Sequence, residues 1–108
     1  MNGLPAEVRE AIAGVLARHP AVARAILFGS RAKGVHEPAS DIDLALDGEV
    51  TAFEAASIAQ ELADLPWPYA FDVQALSAIQ HVPLREHIAR VGKVVYERGS
   101  EGESVSVF

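Results

Sequence analysis

Asp41 and Asp43 stand two residues apart in the run Ser40-Asp41-Ile42-Asp43-Leu44-Ala45-Leu46, and Asp72 lies further on between Phe71 and Val73. In an extended segment Asp41 and Asp43 project together, while Ile42, Leu44 and Leu46 project to the other side. Two like charges side by side repel unless something positive sits between them, and oxygen-only ligands of this kind suit Mg²⁺, which binds one or two carboxylates plus substrate phosphates. Upstream, the apolar run Leu27-Phe28 ends abruptly in Gly29-Ser30, and the short basic loop Arg31-Ala32-Lys33-Gly34 follows. Glycines let backbone N–H groups approach an anion closely, and successive N–H groups in a turn make an anion-binding concavity to which Arg31 and Lys33 add charge. This is not a Walker A loop: Gly29 and Gly34 are correctly separated, but Val35-His36 stand where Lys-Ser/Thr is required. Taken alone, the Asp41 and Asp43 pair reads equally well as a solvated strand face. The Gly-Ser loop before it and Asp72 after it favour a cation.

The two blocks in this order, Gly29-Ser30-Arg31-Ala32-Lys33-Gly34 and then Ser40-Asp41-Ile42-Asp43-Leu44, resemble the signature of the DNA polymerase β-type nucleotidyltransferase superfamily. The resemblance runs from about residue 22 to residue 96. Within the superfamily the chain is similar to the minimal nucleotidyltransferases (MNT), which are commonly paired, as antitoxins, with a HEPN-domain toxin. That resemblance implies Mg²⁺-dependent transfer of AMP from ATP to a protein hydroxyl, a tyrosine of the HEPN partner. It implies that Asp41 and Asp43 bridge two Mg²⁺ ions. Asp72, carried over because Phe71-Asp72-Val73 matches the third strand of the family, would ligand the ion beside the attacking oxygen and act as base. Gly29, Ser30, Arg31 and Lys33 would hold the nucleotide. The family often carries arginine at Lys33; lysine keeps the charge and loses the bidentate fork. The competing reading is a non-catalytic antitoxin that neutralises its partner by masking it, and a small-molecule acceptor is a third.

Length and charge narrow the rest. A chain of 108 residues has room for one domain with a sufficient core, and without cysteine it has no disulfide, zinc-thiolate site or thiol nucleophile. A net charge of −6 argues against a broad electrostatic footprint for duplex DNA. No apolar run approaches the roughly 20 residues of a membrane span, and the N-terminus lacks a signal-peptide pattern, so a cytoplasmic location is expected. The expected organisation is a nucleotidyltransferase domain over 1–98 and a mobile tail over 99–108, with no second domain to bind an acceptor. Homo- or hetero-oligomerisation follows as an expectation.

The elements that must position these residues follow from periodicity. Leu4, Val8, Ile12 and Val15/Leu16 predict an amphipathic helix over about 5–18. Ala21 to Phe28 reads as a strand delivering Gly29-Ser30, and Ile42 to Leu46 as a second strand broken by Asp47-Gly48. Thr51-x-x-Glu54 has the form of a capping box opening a helix to about Leu65, with Phe53, Ala56, Ala59/Gln60 and Leu62 on its buried side. Tyr69 to Leu76 alternates as a third strand. Leu84, His87/Ile88 and Val91 predict a last helix ended by Gly92, after which Val94-Val95-Tyr96 forms an edge strand or packs down. His19, His36, His81 and His87 read as surface or cap residues, and Trp67 and Tyr69 as core or strand-edge aromatics. The resulting fold class is α/β (α+β), a small mixed sheet with helices packed on one face and the aspartate face open to substrate.

Overall fold

The computed structural model describes residues 5–29, 41–67 and 69–98. Helix α1 (Ala6–Leu16) leads to strand β1 (Val22–Phe28), followed by β2 (Ile42–Gly48), helix α2 (Ala52–Ala63), β3 (Phe71–Ala75), a single 3₁₀ turn (Leu76–Ala78), helix α3 (Val82–Val91) and β4 (Lys93–Glu97). The four strands form one mixed sheet in the order β3-β2-β1-β4. Strand β1 runs antiparallel to both β2 and β4, whereas β2 and β3 are parallel. The parallel pair has α2 as its crossover, the connection that such a pair requires. The fold is α+β with a small mixed sheet, as the sequence leads one to expect.

Alternation along β2 divides the chain into two faces. Ile42, Leu44 and Leu46 are fully buried and join Ala25 and Leu27 of β1. Against them pack Val8, Ile12 and Leu16 of α1 and Ala55, Ile58 and Leu62 of α2. Each fully buried Leu or Ile contributes roughly 1.5–3 kcal/mol, so this layer fixes which way Asp43 must point. The second face carries a smaller cluster of Ile26, Phe28, Ala45, Ile79 and Ile88, with α3 lying over it. Thus α1 and α2 cover one face, and the shorter α3 covers part of the other.

Local details depart from the sequence reading in instructive ways. Pro5 is the N-cap of α1 in extended conformation rather than a residue of its first turn. The buried stripe of α2 is Ala55, Ile58 and Leu62; Ala56 and Gln60 are exposed, and Phe53 is 82% exposed. In an alanine-rich helix the hydrophobic phase is weakly written, and one phenylalanine pulls it round. Thr51 does cap α2, its Oγ1 accepting from Glu54 N–H at 3.0 Å. The Glu54 carboxylate faces His19 Nδ1 at 3.2 Å, while His19 Nε2 faces Glu61 at 3.0 Å. His19 is therefore a tie between the α1–β1 turn and α2, not a surface residue. Arg18 joins it at Glu61 (2.6 Å); burial raises the Glu61 pKa, but these hydrogen bonds and charges outweigh it and leave the carboxyl below its ordinary value.

Strand β2 does not stop at Leu46 but runs through Asp47 and Gly48. Gly48 adopts φ +127°, and a Cβ there would overlap the Ala21 carbonyl oxygen, so only glycine lets the strand continue. Strand β4 pairs with β1, which settles the alternatives left open for Val94-Val95-Tyr96 in favour of an edge strand. Just beyond it, the Arg98 guanidinium donates to the His19 carbonyl (3.0 Å), the Val22 carbonyl (3.2 Å) and the Leu16 carbonyl (3.4 Å). A cation on these carbonyls closes the C-terminal end of α1. Trp67 and Tyr69 pack against the main core.

Candidate functional site

The second face of the sheet assembles the carboxylates. Parallel pairing of β2 with β3 sets Asp43 level with Asp72, flanked by Ile42 with Phe71 and Leu44 with Val73. Because paired residues of neighbouring strands share a face, burial of Ile42, Leu44, Phe71 and Val73 turns both aspartates the other way. The bond from Ile42 N–H to the Ala70 carbonyl (2.8 Å) locks that register at its first residue. Asp41 and Asp72 are exposed and Asp43 is half-buried. Burial pushes the Asp43 carboxyl above its ordinary value, and the charges of Asp72 and then Asp41 push it the same way. All three acids of the sequence reading are thus felt at one position.

Gly29 closes this site from the β1 side. It adopts φ +79°, and a Cβ on it would overlap the Asp43 carboxylate oxygen Oδ2. Two independent constraints therefore call for glycine: the left-handed backbone and the approach of the main chain to the acid. Phe28, the last residue of β1, pairs directly with Asp43. Gly29 thus sets the end of β1 beside the carboxylates. Ser30, Arg31 and Lys33, together with His36, lie outside the described residues, as does the expected tail from Gly99.

The donor set has the chemistry Mg²⁺ needs: only carboxylate oxygens, one of them half-buried in a field of two other negative charges that a cation would relieve. Among the described residues no three His, Cys, Asp or Glu side chains gather tightly enough to enclose an ion by themselves. Mg²⁺ rarely takes an all-protein cage; it takes one or two carboxylates and draws its other ligands from substrate phosphate and water.

The far end of the same face carries a pair that sequence reasoning missed. Asp47 stands opposite Arg24 in the β1–β2 ladder, and its Oδ2 accepts from Arg24 Nη2 at 2.7 Å and Nε at 3.2 Å. That hydrogen bond and charge raise the Arg24 pKa. The signal was present as an arginine in an otherwise apolar strand, but finding its partner required the register. Between the two ends lie Ala45 and Gln74, level with each other. No helix among the described residues is long and apolar enough to cross a membrane.

Comparison with known proteins agrees with this geometry. Residues 10–101 match the sequence model of the family described as "Polymerase beta, Nucleotidyltransferase". No curated protein matches the chain. Among solved structures, it is similar to a chain of a toxin–antitoxin crystal structure with AMP-PNP, at 24% identity and TM-score 0.70, over 86% of this chain and 76% of that one. It is similar also to a chain in the complex of tri-AMPylated Shewanella oneidensis HEPN toxin with MNT antitoxin (22%, TM-score 0.66, 85% and 71%). A third is the toxin–antitoxin MntA–HepT (22%, TM-score 0.66, 86% and 73%). At such identities the likeness is one of fold, and the family match supplies the rest: the chain belongs to the polymerase beta-type nucleotidyltransferase family.

Proposed function

We propose that this nucleotidyltransferase moves AMP from ATP to a tyrosine hydroxyl of a HEPN-domain protein, and that it acts as that protein's antitoxin. The observation that carries the reading is the level pairing of Asp43 with Asp72 beside the Gly29 turn, where the charges of Asp72 and Asp41 both act on Asp43. The HEPN partner is suggested by the complexes in which the fold relatives occur.

In this reading Asp41, Asp43 and Asp72 hold Mg²⁺, which when bound supplies charge neutralisation for the triphosphate and a lowered pKa for the attacking hydroxyl. Gly29, Ser30, Arg31 and Lys33 orient the phosphates. The acceptor oxygen forms a bond to the α-phosphorus of ATP, the bond from that phosphorus to the bridging oxygen breaks, and pyrophosphate leaves. The hydroxyl proton passes to Asp72, which is exposed on β3 at the edge of the sheet.

Incubating the purified chain with ATP, Mg²⁺ and a HEPN-domain protein as acceptor, followed by intact-mass spectrometry of that protein, tests the reading. Addition of one or more AMP units to tyrosine is expected. Neutralisation of the partner with no added mass would replace transfer by masking.

A further inference from the structure

The sheet has two edges, and only one of them is guarded. Strand β4 carries a bulge where its register against β1 shifts between Ala25 and Ile26, and it has the exposed charges of Lys93 and Glu97 at its ends. Bulges and charges are usual means by which a sheet edge is kept from pairing with another chain. Strand β3 has no such protection. Its register against β2 runs unbroken from Phe71 to Ala75, it contains no proline or lysine, and its one charge is Asp72.

The hydrogen bonds define what this edge offers. Ile42 N–H donates to the Ala70 carbonyl, and in a parallel ladder with Ile42 level with Phe71 the main-chain groups of residues 70, 72 and 74 turn toward β2. The N–H groups of Phe71, Val73 and Ala75 and the carbonyls of Phe71 and Val73 therefore turn outward, and among the described residues no main-chain group pairs with them. Beside them lies a hollow of about 190 Å³ lined by Ala52 and Ala55 of α2, Val73, Gln74 and Ala75 of β3, and Ala78. Successive side chains of a strand face opposite ways, so a hollow touching three in a row runs along the edge rather than over either face. Its walls are mostly alanine, which leaves room for a small apolar side chain on whatever pairs there.

We infer that the acceptor protein lays an extended segment along the outer edge of β3, with its reacting tyrosine level with Asp72. The inference rests on the transferase reading and gives the second substrate a path. A row of outward N–H and C=O groups is complemented by another polypeptide backbone, and edge strands take up peptides in this way. The transferase reading puts the nucleotide at Gly29, on the β1 side of β2; β3 flanks β2 on the other side, with Asp72 exposed. A strand added there lies about 4.8 Å from β3, and its residue level with Asp72 projects from the same face as the acids. A second copy of this chain is a poor occupant, because pairing β3 with β3 brings two sets of Asp41, Asp43 and Asp72 together in a protein of net charge −6.

The test reads the edge and the transfer separately, with a HEPN-domain protein as acceptor. On its addition the Phe71 and Val73 amides should slow at least tenfold in hydrogen exchange followed by NMR, while those of Asp72 and Gln74, already turned to β2, change little. Only pairing along the edge gives that alternation. Ala75→Pro removes an outward N–H at a residue whose φ of −77° suits proline, so the melting temperature and ATP binding should stay near wild type while KM for the acceptor rises at least tenfold. If the proline variant misfolds, the exchange pattern of the wild-type chain decides alone. Unchanged Phe71 and Val73 exchange in a complex that forms, or a wild-type KM in a folded Ala75→Pro, overturns the edge assignment even if AMP transfer occurs. Protection that grows with the concentration of this chain alone gives the edge to a second copy and overturns it too. Edge protection by the acceptor with no AMP transfer overturns the chemistry and keeps the surface. No binding by the wild-type chain overturns both.

Discussion

Asp43 and Asp47 lie on the same strand and the same face, four residues apart, yet they meet opposite surroundings. Asp47 faces Arg24 across the ladder and shares two hydrogen bonds with it. Asp43 faces Phe28 on one side and another aspartate on the other, and its proton is held more tightly than a free carboxyl holds one. A carboxylate that only has to keep the sheet together is given a partner by the fold. One that is set among its own kind, against a glycine turn that leaves room for nothing larger, is the one to which the proposed function assigns a cation. The contrast separates an ion-paired end of the face from the end to which the proposed chemistry is assigned.

Predictions follow from breaking each end in turn. Replacing Asp41 and Asp43 together by asparagine should remove the Mg²⁺ dependence of ATP binding and lower affinity at least tenfold, roughly the loss of one charged ligand interaction of 1.5–3 kcal/mol. Calorimetry with and without Mg²⁺ measures this; equal Mg²⁺-dependent affinity in variant and wild type would dissociate the acids from the nucleotide. Gly29→Ala should cost about 1–3 kcal/mol by forcing a side chain into left-handed backbone, as read by thermal melting, and should lower transfer because its Cβ displaces the Asp43 carboxylate.

Smaller effects sharpen the contrast. In Mg²⁺-free buffer Asp43→Asn should leave the fold as stable or slightly more stable, by about 0.2–1 kcal/mol at the low end because the group is partly solvated. The sign follows from linkage: a carboxyl whose folded pKa lies above its unfolded one binds its proton more tightly when folded. Stability from this group is therefore present at low pH and is lost as pH rises through its raised value. The variant should flatten that part of the stability profile. At the other end, Arg24→Gln should cost less than about 1 kcal/mol, since the Arg24 and Asp47 side chains are 42% and 36% exposed, and the difference should shrink in high salt.

Much of the placement of Asp43, Asp72 and Gly29 was legible in the sequence because its signals are local. Alternation across Ile42, Asp43 and Leu44 fixed the face of the acids, and the apolar neighbours of Asp72 placed it on a strand of the same kind. The glycine before Ser30 marked where the chain must turn. What escaped depended on distant parts of the chain. The partner of Arg24 is set by antiparallel register, and continuation of β2 through Gly48 by the approach of the Ala21 carbonyl. His19 is held between Glu54 and Glu61 only once α2 docks, and Arg98 reaches the end of α1 from the end of β4. The buried phase of α2 was misjudged because alanine scarcely distinguishes inside from outside.

The most direct measurement compares Asp72→Asn with Asp47→Asn, two changes identical in chemistry at opposite ends of one face. Each variant is incubated with ATP, Mg²⁺ and the HEPN-domain protein, and the AMP added to that protein is followed by intact-mass spectrometry. If Asp72 has the proposed roles of base and metal ligand, Asp72→Asn should slow transfer by roughly 100-fold or more, while Asp47→Asn keeps it within a few-fold of wild type. Equal rates in the two variants, whether both normal or both abolished, would contradict the assignment of chemistry to the Asp43 and Asp72 end.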